Sequence, residues 1–336
     1  MKTETGTLIL LLIILVLIIG YFVVGHIQTI LERNTKKVDE TFVSARTSDT
    51  APTLDNPEEF YDDYYVQRID QSYFPESKNI CRCAELYKHA YLGDFEKSST
   101  KTLLYGANTG RFLDALAGIS ANAVGIVGNK VLADKAREIA PKSKVIQTGN
   151  LYKMPPSEFP ENTFTHFVIE DKNYYQIPTS QDRKGVVANA FTWLQPGGKL
   201  IIRAIDPTKF DPMIPSSVPI RGVNIQNYLE KRKHDSTVYF DDGSYISTHY
   251  TPIPSEQRAV FREDLYYPNG SLKRSHIHRW NIPPIDIVIE EVMSVGFQHT
   301  ESVPLKSCTS PGEQYLIFTK PEYKRTMQGP RTGSKV

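Results

Sequence analysis

The chain has 336 residues, with 39 basic against 38 acidic side chains and a formal net charge of +1. That balance gives no electrostatic footing for a dedicated nucleic-acid binder, and the length suits one large α/β domain with appendages. Three cysteines are too few and too odd in number for a disulfide framework, and Cys81-x-Cys83 lacks a second ligand pair, so reduced thiols and no metal set are expected.

Leu8 to Val24 is almost wholly aliphatic and, if helical, spans about 25 Å at about 1.5 Å per residue. This length predicts a transmembrane helix within an anchor of residues 1–33. A cleaved signal peptide is the rival, but the apolar core is long and no Ala-x-Ala-like site follows. Lys2 is the only basic residue before the span, whereas Arg33, Lys36 and Lys37 follow it, which places the large domain of a single-pass membrane protein on the cytoplasmic side. Residues 34–56 are polar without an apolar period and read as a flexible tether to a domain over 57–320. The stretch Glu58 to Tyr65 then begins helical structure, with Phe60, Tyr61, Tyr64 and Tyr65 spaced for one face.

From Lys101 a strand, a turn and a helix follow in order: Thr102 to Tyr105, then Gly106-Ala107-Asn108-Thr109-Gly110, then a helical pattern from about Phe112. Glycines at such a turn let a ligand approach the backbone, which suits an anion or a nucleotide. Ala123 to Val127 is a second strand, Asn129 to Ala140 a helix, Lys144 to Gln147 a third strand and Phe164 to Ile169 a fourth. A helix over Arg183 to Leu194, the turn Gln195-Pro196-Gly197-Gly198 and a fifth strand, Lys199 to Arg203, complete the run. Alternation of this kind predicts a parallel sheet covered on both faces, with ligands at the carboxyl ends of its strands.

Four segments, in this order, resemble the class I S-adenosylmethionine-dependent methyltransferases of the small-molecule type. They are the loop Gly106 to Gly110, the stretch Asn150 to Phe164, the run Trp193 to Ile202 through Pro196-Gly197-Gly198, and the late Val292 to Phe297 before a last strand near Gln314 to Thr319. The resemblance implies a Rossmann-like seven-stranded sheet, mostly parallel with the last strand antiparallel. It also implies S-adenosyl-L-methionine as cofactor, held by Gly106, Ala107, Asn108, Thr109, Gly110, Asn129, Asn150 and Leu151. An N-terminal tyrosine-rich helix often closes over the cofactor in this family, and an ordinary packing face explains the spacing of Phe60, Tyr61, Tyr64 and Tyr65 equally.

The carboxylates of the family pattern are missing. The acid before the first loop glycine is replaced by Leu104, the one that holds the ribose hydroxyls by Val127, and the one that meets the adenine by Asn150, whose amide oxygen still accepts a hydrogen bond. Losing one or two such bonds, worth roughly 1.5 to 3 kcal/mol each, weakens binding by roughly tenfold to several-thousandfold.

Residues 206–284 are too long for a simple connection and carry two hairpin signals, Asp242-Gly243 and Asn269-Gly270, predicting an antiparallel β insert over the sheet's carboxyl edge. Asn269-Gly270-Ser271 also fits a glycosylation sequon but is better explained by the turn. Glu170 and Asp171, at the end of the fourth strand, lead the candidates for substrate contact, ahead of His249, His276 and His278, with His278 the third catalytic candidate; solvated positions explain each of these equally. Glu170-Asp171-Lys172-Asn173-Tyr174 does not match the Asn/Asp-Pro-Pro-Tyr pattern of members that methylate nucleobase or glutamine amino groups. The tail 321–336 is basic and reads as solvated disorder, or as a contact for anionic lipid. Two functions follow: a membrane-anchored methyltransferase of unknown acceptor, or a pseudo-methyltransferase serving as a scaffold or a structural component of a membrane or virion.

Overall fold

The computed structural model describes residues 51–54, 57–73, 76–86, 88–89, 99–120, 122–208, 235–305 and 312–322. The expected membrane span over 8–24, most of the tether and the tail beyond 322 lie outside the described residues. Among the described residues no helix is long and apolar enough to cross a membrane.

Seven strands form the main sheet: β2 (Lys101–Tyr105), β3 (Asn122–Val127), β4 (Lys144–Gln147), β5 (Phe164–Ile169), β6 (Leu194–Ile205), β11 (Gln298–Pro304) and β12 (Glu313–Thr319). Their spatial order is β11-β12-β6-β5-β2-β3-β4, parallel from β4 through β6, with β12 antiparallel to both its neighbours. Alternate side chains of the central strands serve opposite faces. Leu103 and Phe167 join the core under α7 (Ser180–Trp193) and α8 (Ile285–Met293), whereas Leu104 and Val168 pack under α4 (Arg111–Ala117) and α5 (Lys130–Ile139). This two-sided burial is why β5 is apolar or satisfied at every position: Phe164, Phe167, Val168 and Ile169 fill cores, and Thr165 Oγ1 bonds Lys101 across the ladder. The reversal of strand order falls between β2 and β5, and the carboxyl ends of these strands frame the crevice where ligands bind such sheets.

A second sheet of order β1-β10-β9-β8-β7 covers that edge. It comprises β1 (Thr53–Leu54), β7 (Asp235–Tyr239), β8 (Tyr245–Ile253), β9 (Arg258–Tyr266) and β10 (Leu272–Asn281). The hairpin turns fall at the two expected glycines, Gly243 (φ +80°) and Gly270 (φ +81°). A third antiparallel connection, through the short 3-10 turn Pro254–Glu256, carried no Asn-Gly or Asp-Gly signal. One expectation is corrected: the tether does not stay free to residue 56. Thr53 and Leu54 pair in parallel with Ser275 and His276, and Ser275 N–H donates to Pro52 O at 3.0 Å. The edge of β10 offers unpaired backbone groups, and an extended segment satisfies them whatever its side chains.

The N-terminal helices α1 (Pro57–Phe60), α2 (Asp63–Tyr73) and α3 (Glu76–Leu86) fill the space between the two sheets. Arg111, the first residue of α4, makes a bidentate pair with the buried Asp70 of α2 at 2.6 and 2.7 Å. Cys83 is a buried free thiol, whereas Cys81 is disulfide-bonded. The reading of all three cysteines as reduced is thereby corrected, since chain spacing does not report which thiols the fold apposes. Cys308, the remaining cysteine, lies outside the described residues.

Candidate functional site

The turn after β2 is built from three left-handed residues, Gly106 (φ +70°), Asn108 (φ +48°) and Gly110 (φ +89°). Two of them also face close neighbours: a Cβ on Gly106 would lie 2.4 Å from the Asn173 side chain, and one on Gly110 would lie 2.7 Å from the Ala136 backbone of α5. The turn is held by Ala107 N–H to Ile126 O (2.9 Å) and by Asn173 Nδ2, which donates to Gly106 O at 3.0 Å. Asn173, in the short α6 (Asn173–Gln176), was missed in the sequence because nothing in its neighbourhood marks it.

This turn is one wall of a cleft of about 230 Å³ lined by Tyr61, Gly106, Asn108, Val127, Asn150 and Leu151 among others. Asn129 is also on its rim, and its side-chain oxygen caps α5 by accepting from Val131 N (2.8 Å) and Leu132 N (3.3 Å). Asn150 accepts from Tyr152 N at 3.3 Å, leaving its amide oxygen room for one further donor. Val127, at the end of β3, lines the cleft at the position where the family pattern places a ribose-gripping acid, and it is packed in the core at 1% exposure. Ala107 and Thr109 do not reach this cleft. They are buried around a void of about 10 Å³ behind the turn, where Thr109 Oγ1 has no hydrogen-bond partner among the described residues.

A second, smaller cleft of about 50 Å³ adjoins the first and shares Tyr61, Asn108 and Gln176 with it. Its other walls come from the end of β5 (Asp171, Lys172), from α2 (Tyr65, Ile69) and from the inner face of the insert (Phe261, Glu263, His278, Trp280). Asp171 sits at φ +55° and accepts from Asn108 Nδ2 at 3.4 Å. Burial pushes its carboxyl up, but the Lys172, Arg203 and Arg82 charges outweigh burial and hold it below the usual range. Asp171 therefore presents a carboxylate to this cleft. Burial likewise pushes the Tyr61 phenol up, so it stays protonated as a donor.

Glu170, expected beside Asp171, is turned the other way. It is 3% exposed, accepts from the Tyr315 hydroxyl, and lies 3.3 Å from Arg203 Nη1 and 3.4 Å from Arg82 Nε. The candidacy of Glu170 as a substrate contact is corrected: Tyr315, Arg203 and Arg82 hold it away from both clefts, whereas the left-handed turn just past the strand's end carries the Asp171 carboxylate to the smaller one. His249 is also excluded, since it pairs with Arg262 on the face of β8 and β9 opposite Glu263, and its ring is 3.8 Å from Asp264.

His276 and His278 do not face water. They alternate along β10, and His276 stands directly across the ladder from Glu263 of β9, which puts all three on the inner face. His278 Nε2 is 2.6 Å from Glu263 Oε2, which also accepts from the Tyr65 hydroxyl. The fully buried His276 ring stacks on Phe60 at 4.6 Å and meets Tyr65 edge-on at 4.4 Å. Burial pushes Glu263 up, yet His278 and His276 beside it hold it well below the usual range; burial lowers His276. Glu263 carried no signal of its own in the sequence. Its pairing with His276 depends on the β9–β10 register, which the Asn269-Gly270 turn and the bulge between Leu272 and Arg274 set together.

Residues 103–202 match the family described as methyltransferase domain. The chain has a methyltransferase fold. Among solved structures it is similar to the sugar N-methyltransferase KedS8 from Streptoalloteichus (13% identity, TM-score 0.56, covering 82% of this chain and 98% of that one). It is also similar to the CcbJ methyltransferase from Streptomyces caelestis (12%, 0.55, 81% and 98%). A third likeness is the SAM-bound amino pentose methyltransferase CalS10 from Micromonospora echinaspora (13%, 0.52, 78% and 98%). No curated protein matches the sequence.

Proposed function

We propose that this protein is an S-adenosylmethionine-dependent methyltransferase acting on a small, hydroxyl- or amine-bearing acceptor, tethered to a membrane by its N-terminal apolar segment. The observation that carries the reading is the junction of the two clefts at Tyr61, Asn108 and Gln176. A cofactor whose adenosine lies along Val127, Asn150 and Leu151 brings its sulfonium end to that junction, with an acceptor held beyond it by Asp171, Lys172 and Trp280. Transfer then requires little more than alignment of the nucleophile with the methyl group. The sugar-directed activities named for two similar structures and the mixed aromatic and polar lining support a polar small molecule. The span over 8–24 supports the tether. The positive-inside count favours the cytoplasmic side, but the disulfide at Cys81 removes the cysteine support for it.

The missing carboxylate at Val127, together with the use of Asn129 and Asn150 as caps, favours a second reading: a pseudo-methyltransferase kept as a scaffold. Calorimetric titration of the full-length protein with S-adenosylmethionine and S-adenosylhomocysteine separates the two. Saturable binding of both ligands supports the enzyme; no heat at millimolar ligand overturns it in favour of the scaffold.

A further inference from the structure

The cluster on the inner face of the insert is more than an oriented histidine. One ring nitrogen each of His276 and His278 and one carboxylate oxygen of Glu263 all lie within 4.8 Å of one another. His276 Nδ1 is 3.8 Å from Glu263 Oε2, too far for a hydrogen bond, and neither ring nitrogen of this fully buried histidine has a hydrogen-bond partner among the described residues. A buried imidazole with both nitrogens idle is costly unless something else occupies the gap. Two atoms 3.8 Å apart leave room for an ion about 2.0 to 2.2 Å from each. The contact of His278 with Glu263 at 2.6 Å has only to open by several tenths of an ångström to become a pair of ligands on the same ion.

We propose that Glu263, His276 and His278 bind a divalent transition-metal ion of the Zn²⁺ class, with an open coordination position towards the small cleft. The ligand chemistry agrees: two imidazoles and a carboxylate form the three-ligand set of open catalytic sites, and one negative charge in a buried pocket favours a dication. Tyr65, whose hydroxyl donates to Glu263, orients that ligand from behind, while Phe60 and Phe261 form an apolar collar around the imidazoles. Access is from the small cleft, which Glu263 and His278 line.

The consequence for the acceptor rests on the methyltransferase reading; the metal site itself does not. An acceptor hydroxyl that ligates the ion loses its proton to water more readily. The resulting alkoxide oxygen forms its bond to the methyl carbon as the carbon–sulfur bond breaks, and that electron pair stays on sulfur. The acceptor class is thus a hydroxyl compound able to reach a metal, rather than a simple amine.

The test uses the full-length protein, stripped with chelator and re-equilibrated with Zn²⁺ or Co²⁺. Elemental analysis after gel filtration should find about one Zn²⁺ per chain, and Co²⁺ should give visible absorption bands of nitrogen and oxygen ligation. Glu263→Gln and His278→Gln should lose the ion, and Tyr65→Phe should weaken it roughly ten- to a hundredfold. Zn²⁺ should also raise the thermal midpoint of the unaltered protein, a readout that needs no variant. Wild-type protein that retains no Zn²⁺ at micromolar free metal, or variants that retain as much as wild type, overturn the proposal and leave a hydrogen-bonded buried carboxylate. Metal retained without any adenosyl-ligand binding would sink the methyltransferase reading and leave this one standing.

Discussion

Asn108 donates from Nδ2 to the carboxylate of Asp171 across 3.4 Å, joining the turn after β2 to the end of β5. Both residues hold positive φ, +48° and +55°, so each end of the link sits on backbone that most side chains avoid. The link forms part of the wall shared by the two clefts. Replacing Asp171 with Ala should loosen that wall and weaken S-adenosylhomocysteine binding about fivefold, the worth of one long hydrogen bond of about 1 kcal/mol. Unchanged affinity in calorimetric titration would show that the turn holds its shape without Asp171.

Val127→Asp restores a carboxylate where the ribose of a bound adenosyl ligand would lie. A hydrogen bond to a charged acceptor is worth about 1.5 to 3 kcal/mol, so affinity should rise roughly ten- to 150-fold. The same change should lower the stability of the unliganded protein, because Val127 is 1% exposed and the acid would lack a partner. A variant that binds no tighter would count against the position given to the adenosine.

Gly110→Ala tests the turn from the other side. The added methyl would lie 2.7 Å from the Ala136 backbone at a backbone angle of +89°, and neither the clash nor the φ is relieved by moving a side chain. A loss of about 1 to 3 kcal/mol in denaturant unfolding is expected, with weaker ligand binding because α5 is displaced. Wild-type stability would mean that α5 yields more readily than close packing allows.

On the far face of the sheet, Arg183 grips Glu291 through two hydrogen bonds at 2.6 and 2.8 Å, and Tyr174 donates to the same carboxylate at 2.8 Å. Burial pushes Glu291 up, but the bonds from Arg183, Ser180 and Tyr174 outweigh it and depress the folded pKa. A depressed carboxyl contributes stability above the unfolded value of about 4.3 and loses it as pH falls through the folded value. Arg183→Met should cost about 3 to 5 kcal/mol at neutral pH by stranding a buried charge. Between neutral pH and a pH acid enough to protonate Glu291 in wild type too, the gap should narrow, because the depressed carboxylate's contribution is lost on that path. Urea midpoints at the two pH values check this; a constant gap would show that Glu291 is not the group involved.

Thiol counting checks the cysteines. Under denaturing, non-reducing conditions an alkylating reagent should label Cys83 and leave Cys81 unlabelled until reduction, as read by mass spectrometry of the peptides. Labelling of Cys81 before reduction would restore the reduced-thiol expectation.

The sheet was legible because its strands are buried on both faces and its turns carry glycines. Burial demands unbroken apolar runs such as Phe167-Val168-Ile169, and left-handed turns demand Gly106 and Gly110. The hairpins at Gly243 and Gly270 were legible for the same reason. The side chains around the small cleft were not. Asp171 and Glu170 are adjacent and chemically alike, and only the left-handed turn after the strand decides which reaches the small cleft. Glu263 and His276 are 13 positions apart and meet through strand register, a long-range relation that local pattern does not encode. Asn129 and Asn150 were read as ligand contacts because an amide at a strand end suits either role, but each also caps the turn it begins.

The short parallel strand Thr53–Leu54 has a mechanical consequence. Leu54 is registered with His276, so the upstream chain is fastened to the very rung that carries one corner of the Glu263 cluster. Any tension arriving from the amino-terminal side is delivered lengthwise along β10, where hydrogen bonds share the load in shear. A pull on the chain ahead of Pro52 would thus be felt first at Ser275, one position before His276.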